Sequence, residues 1–235
     1  MIFNRISYNY LKMNKKDIIK SVEEHIYKGL IKESSGHGWF HIKRVRDMAL
    51  KIGKDEGADL YIVELSALLH DVQDWKLHYS VTFKDERIVR EEGTKILERY
   101  GVNGNEAETI LNIAENVSFR GAGVPDAIIS KEHDVVMDSD RLDAMGYIGI
   151  ARCFNYGGHI GRKIYNPNIK PVMANDPTEY IKNQGTSINH FYEKLILLKD
   201  RMRTNLGKKI AEKRHQELVN YLEGFLREVN GEDLE

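Results

Sequence analysis

The stretch Leu65-Ser66-Ala67-Leu68-Leu69-His70-Asp71 decides how this chain is read. It is an apolar run that closes on an adjacent imidazole and carboxylate, a poor end for a purely structural helix and a good one for a metal site. Buried together, the two polar groups need partners. Candidates stand on either side: His41 about one helix upstream, and the acidic cluster Asp138-Ser139-Asp140-Arg141-Leu142-Asp143 downstream.

Working outward, helical periodicity dominates. From about Trp39 to Glu56, His41, Val45, Met48 and Ile52 recur at spacings of four and three, so His41 continues a buried stripe. Gly57 closes that helix and Asp59 caps the next, where Leu60, Val63, Ala67 and His70 line up. Both histidines are therefore expected to face inward. Upstream, Ile18, Val22, Ile26 and Leu30 share a face; downstream, Asp85 to Tyr100 and Asn105 to Val117 read as helices joined at Gly101 and Gly104. One helix from about Val135 to Phe154 is expected to set Asp140, Ala144, Tyr147/Ile148 and Ala151 on a single stripe. Asn155 to Thr178, with three prolines, reads as a long irregular loop, which in a compact domain is more often functional than idle. Two helices, about Ser187 to Asp200 and Thr204 to Val229, end the chain.

No repeat, linker or strand alternation interrupts this pattern, so the expected fold class is all-α, a single-domain helical bundle. Residues 1–14 read as a mobile N-terminal extension, with Met13 a candidate start beside Met1, and residues 15–230 as the domain. Its metal-binding helices are expected over about 37–155 and its C-terminal helices over about 187–229.

Composition narrows the function. With 41% hydrophobic residues, 30% charged residues and four prolines, no extended disordered tract is expected. Thirty-five basic against thirty-six acidic residues give a formal charge of -1, which argues against a broad footprint for a nucleic acid polymer or an anionic membrane. A local basic pocket for one phosphate group remains compatible with that balance. The single cysteine, Cys153, excludes an internal disulfide and a cysteine-rich zinc site. The first residues lack the unbroken apolar core of a signal peptide, and no stretch approaches the roughly 20 apolar residues of a membrane span. A cytoplasmic protein, monomer or homodimer, is expected.

Two imidazoles and two carboxylates suit a hard or borderline divalent cation and leave positions for water and a substrate oxygen. His41, His70, Asp71 and one aspartate of the 138–143 cluster lie on three separate helices that can converge in a bundle core. Spacing alone leaves the plainer alternative open, a hydrogen-bonded core histidine and a capping aspartate.

The order His41, His70-Asp71, Asp140 resembles the HD domain superfamily of metal-dependent phosphohydrolases. Longer strings are similar to one small bacterial branch of predicted members: Gly36-His-Gly-Trp-Phe-His-Ile-Lys-Arg-Val45, Ala67-Leu-Leu-His-Asp-Val-Gln-Asp-Trp75, residues 138–152, and Asn189-His-Phe-Tyr-Glu-Lys-Leu195. The likeness runs from roughly Lys15 to Glu228. It implies metal ligation by His41, His70, Asp71 and Asp140, the last chosen over Asp138 because Ser139-Asp140-Arg141-Leu142-Asp143-Ala144 matches the superfamily pattern. Asp138 and Asp143 are then expected to cap a helix or to steady the ligands by hydrogen bonds. Asp74, three residues after Asp71, takes the place where some members handle the attacking water. The segment Ile113 to Phe119 lacks the extra histidines of two-metal members, which favours one divalent ion: manganese, magnesium, iron, nickel, cobalt or zinc.

Phosphoryl chemistry depends on positioning and charge neutralisation, so cations are sought around the metal. Arg44 lies one turn after His41 and Arg141 directly follows Asp140; each serves as a phosphate contact or as the ion-pair partner of Asp71, Asp138 or Asp143. His37 can reach the site from its glycine-flanked loop, and Lys194 and Arg162 are further substrate-binding candidates. Asp74 or Asp71 is expected to orient or deprotonate water. The resemblance favours a small phosphorylated substrate, a nucleoside triphosphate cleaved to monophosphate and pyrophosphate. A nucleoside monophosphate phosphatase and a non-catalytic metal and nucleotide-binding regulatory module stand as alternatives.

Overall fold

The computed structural model describes residues 13–72 and 86–233. Among them the chain forms α1 (Lys15–Leu30), α2 (Trp39–Glu56), α3 (Leu60–Leu69), α4 (Glu86–Arg99), α5 (Gly104–Asn116), α6 (Lys131–Asp143) and α7 (Gly146–His159). After these come the short α8 (Pro177–Lys182) and α9 (Ser187–Glu193), a 3₁₀ segment (Leu195–Arg201) and the long α10 (Asn205–Asn230). No strand occurs among the described residues, so the fold is all-α. No described helix is long and apolar enough to cross a membrane.

The architecture follows from which helices have two faces. α1 and α10 are amphipathic and bury one stripe each, Ile18, Val22, Ile26 and Leu30 on the first and Ala211, Leu218 and Leu222 along the second. In α3 eight of the ten residues are buried, so this helix is hydrophobic all round and runs through the interior. It packs against α1, α2, α5 and α6. Asp59 starts it by accepting the backbone N–H groups of Tyr61 and Ile62. Fully buried Leu65, Leu68 and Leu69 anchor it, each worth about 1.5–3 kcal/mol of transfer free energy. The consequence for the site is positional: a central helix delivers His70 and Asp71 from its C-terminal end into the core.

α2 lies between α3 and α6. Its buried stripe comprises His41, Ile42, Val45, Ala49 and Ile52, and Gly57 ends it in the left-handed conformation at φ 63.

Four expectations need correction. The single helix expected over 135–154 is two helices, because Gly146 adopts φ 65 and turns the chain between α6 and α7. Tyr147 and Ile148, placed on the inward stripe, are 70% and 42% exposed, and Ala151 is exposed as well. The helix expected over 187–200 is α9 followed by the 3₁₀ segment, and the long loop is shorter than expected, since α7 runs to His159 and Pro177 opens α8.

Candidate metal centre

His41 and His70 are 3% and 1% exposed, and their Nε2 atoms lie 3.2 Å apart. Asp140 Oδ1 is 3.5 Å from each Nε2, and Asp71 Oδ2 is 3.8 Å from that of His41. Three elements supply these groups: the N-terminal turn of α2, the C-terminal end of α3 and the last turns of α6.

The other ring nitrogens determine what the inner ones can do. His70 Nδ1 is 2.8 Å from the Ala67 carbonyl, which only accepts, so Nδ1 carries a proton, and in the neutral tautomer Nε2 is the nitrogen left with a lone pair. His41 Nδ1 is 2.7 Å from Asp143 Oδ2 and donates to it. Burial, with the neighbouring Arg152 charge, pushes the His41 pKa down to about 4, so this ring is neutral at pH 7 and its Nε2 is also bare. With both rings in this neutral tautomer, two lone pairs face each other beside two carboxylates. A cation about 2.0–2.1 Å from two imidazole nitrogens separates them by about 3–3.4 Å, and the 3.2 Å found here fits that range. The donor set suits a divalent ion, and the carbonyl end of α3 adds its negative dipole.

Asp143 braces the cluster. Its carboxylate accepts the hydrogen bond from His41 Nδ1, pairs with Arg44 through Nε at 2.7 Å and Nη2 at 3.0 Å, and with Arg152 Nη1 at 3.1 Å. Burial opposes its charge, but the hydrogen bonds from His41 and Arg44 and the Arg152 charge outweigh it and hold the carboxyl well below the usual range. Arg152 also donates to the Gly36 carbonyl at 2.7 Å, tying the loop before α2 to α7. On that loop His37 reaches Asp71 Oδ2 at 2.9 Å while remaining 47% exposed.

The remaining candidates are distributed as follows. Asp138 faces away from the cluster and accepts the backbone N–H groups of Arg203 and Thr204 and the Thr204 hydroxyl, at 2.7–3.1 Å. Arg44, a candidate phosphate contact, is bound to Asp143 instead. Arg141, the other, has a side chain only 1% exposed and forks onto Asp126 at 2.6 and 3.0 Å, a partner outside the three aspartates expected for it. Asp74 lies outside the described residues. His37, Lys194 and Arg162 line one cavity of about 1120 Å³ together with His41, Asp71 and Asp140. Arg152, Tyr156 and Phe119, which the sequence reading did not single out, also face that cavity. Nothing in their spacing marks them, because each is set by the crossing of helices far apart in the chain.

Comparison with known proteins agrees with this arrangement. The HD domain model matches residues 38–145, which contain all four clustered side chains. YpgQ of Bacillus subtilis is 35% identical over 207 residues, 88% of this chain and 91% of its own length. The crystal structure of YpgQ in complex with ADP aligns with a TM-score of 0.69 at 30% identity, covering 92% of this chain and 97% of that one. A crystal structure from Lactobacillus plantarum reaches a TM-score of 0.83 at 33% identity, over 93% of this chain and 100% of the other. An HD-superfamily hydrolase from Bacillus thuringiensis gives 0.67 at 37% identity, over 92% and 99%. With the clustered histidines and aspartates lying inside the matched segment, the chain belongs to the HD domain family and carries the fold of the HD-superfamily hydrolases.

Proposed function

We propose that the protein is a phosphohydrolase dependent on one divalent metal ion, and that it cleaves a nucleoside triphosphate to monophosphate and pyrophosphate. The observation that carries this reading is the approach of two imidazole Nε2 atoms to 3.2 Å, with Asp140 Oδ1 3.5 Å from both. His41, His70, Asp71 and Asp140 would hold the ion. A divalent cation held there supplies Lewis acidity toward a phosphoryl oxygen and raises the acidity of water.

The chain's own groups supply the rest. Asp143 and the Ala67 carbonyl keep both Nδ1 atoms protonated and both rings oriented, a brace of the kind that tunes metal ligands. Asp71, steadied by His37, or Asp74 receives the proton of the attacking water. Lys194 and Arg162 on the cavity wall neutralise phosphate oxygens. The nucleotide reading draws further support from YpgQ, whose structure was determined in complex with ADP.

Incubation with a nucleotide panel and manganese, magnesium or cobalt, followed by product analysis, tests the proposal. Monophosphate and pyrophosphate are expected. Orthophosphate released from a nucleoside monophosphate moves the reading to a phosphatase, and tight nucleotide binding without turnover moves it to a regulatory module. His41→Ala and His70→Ala are each expected to abolish stoichiometric metal while leaving helical content unchanged; retention of metal by both removes the site assignment.

A further inference from the structure

The cavity extends beyond the metal cluster. Arg162, Tyr180, His190 and Lys194 line it as well, contributed by the loop after α7, by α8 and by α9 with its C-terminal flank. Tyr156 connects the two regions: its ring meets His37 with centroids 5.3 Å apart, and its phenol senses the charges of both Arg162 and Asp71. His190, by contrast, responds to Lys194 and Arg162. It packs beside Tyr180 with ring centroids 6.5 Å apart.

These groups share a deficit. Among the described residues, the Arg162 guanidinium, the His190 imidazole and the Tyr180 phenol make no hydrogen bond or ion pair. Surrounding protein has nevertheless withdrawn water from two of them, His190 and Tyr180. Burial, then Lys194 and Arg162, pushes the His190 pKa well below its ordinary value, and burial pushes the Tyr180 phenol up. Polar groups desolvated without partners are costly, and a ligand that pairs with them recovers the loss.

The kind of partner follows from what they offer. A guanidinium only donates, a neutral imidazole and a phenol each bring a donor, and the Lys194 ammonium stands 5.7 Å from the centre of the Phe119 ring. The carboxylate in this region, Glu193, is buried and accepts the Val172 N–H at 3.0 Å. Such a wall calls for a ligand rich in acceptor oxygens and negative charge. A nucleobase, which presents donors beside acceptors, fits it less well than a phosphate chain.

We infer that Arg162, His190, Tyr180 and Lys194 form a metal-independent anion subsite for the pyrophosphoryl part of the substrate, on the leaving side of the scissile bond. The inference deepens the reading above and rests on it for the position of that bond. A substrate with a single phosphate cannot occupy both regions, so the subsite selects polyphosphates and binds the pyrophosphate product.

The test is calorimetric titration of inorganic pyrophosphate into the full-length protein stripped of metal with chelator. Wild type is expected to bind with one-to-one stoichiometry. Arg162→Ala, which breaks no described ion pair, and His190→Phe, which keeps the ring and removes its donors, should each weaken binding, the former by about ten-fold or more. Failure of the metal-free protein to bind pyrophosphate, or unchanged affinity in Arg162→Ala with an unchanged thermal midpoint, overturns the subsite. Pyrophosphate binding that depends on Arg162 in protein without hydrolytic activity upholds the subsite while removing the hydrolase reading. Nucleotide hydrolysis that persists when pyrophosphate binding ignores Arg162 does the reverse.

Discussion

Asp138 and Asp140 stand two positions apart on α6 and are directed to different tasks. Asp138 is fully buried and accepts two backbone N–H groups and a hydroxyl at the start of α10, a degree of burial that raises its pKa against those same hydrogen bonds. Removing it leaves those donors without a partner, so Asp138→Ala should destabilise the protein by about 2–4 kcal/mol, each unsatisfied buried group costing about 1–3 kcal/mol. Its metal stoichiometry should persist. Asp140→Ala should behave oppositely, losing the metal while the metal-free protein melts at or above the wild-type temperature, since one carboxylate of a repulsive set has gone. Thermal unfolding with chelator, paired with metal analysis, reads both. The same result for the two variants would refute the division of labour. The resemblance around Ser139 to Ala144 pointed to Asp140, which the fold does bring beside the two histidines, whereas the destination of Asp138 depends on where the Arg203–Thr204 turn before α10 falls, 65 residues later. Arg141 was less legible still, because its partner Asp126 lies in a segment without periodicity.

At the scale of the element, helices with a regular stripe were recoverable from their spacing and the breaks between them were not. α2 runs from Trp39 to Glu56 as its stripe requires, with Asp59 capping the next helix, because both depend on local spacing and local hydrogen bonds. The division of α6 from α7 depends on one glycine at φ 65, and a single glycine inside an otherwise continuous pattern carries too little signal. α7 matters to the site through Arg152, and its approach to α6 is tight. A Cβ built on Gly149 lies 2.2 Å from the Ala144 carbonyl oxygen, whereas one on Gly158 meets nothing within 4 Å. Gly149→Ala should therefore cost about 1–3 kcal/mol by overpacking, and by displacing Arg152 from Asp143 it should also weaken metal binding. Gly158→Ala in the same helix should be neutral or stabilising by up to about 1 kcal/mol through helix propensity. Melting curves and metal titrations of the two variants are the measurement, and equal stability would show that the α6–α7 contact does not control the site.

For the whole molecule, the balance of charge hides its distribution. The chain as a whole carries -1, yet seven arginines and lysines line the large cavity against three carboxylates, among the described residues. Two of those arginines, Arg141 and Arg152, are paired with Asp126 and Asp143 outside the lining, which leaves a wall still biased toward positive charge on the side away from Asp71 and Asp140. A concave, partly desolvated surface focuses such a field, and an anionic substrate gains from it both in encounter and in residence. Mobile ions screen this attraction over about 10 Å at 0.1 M salt and about 3 Å at 1 M. If the substrate is a nucleoside triphosphate, its KM should rise several-fold between those two concentrations, while kcat changes less, because the groups around the reacting phosphate are buried and close. The rise should be steeper for a triphosphate than for a diphosphate, since the longer chain places more charge against the basic wall. Steady-state kinetics over a salt series decides the matter: a KM indifferent to salt, or equally sensitive for both nucleotides, means that the cavity's positive charge is not what holds the phosphates.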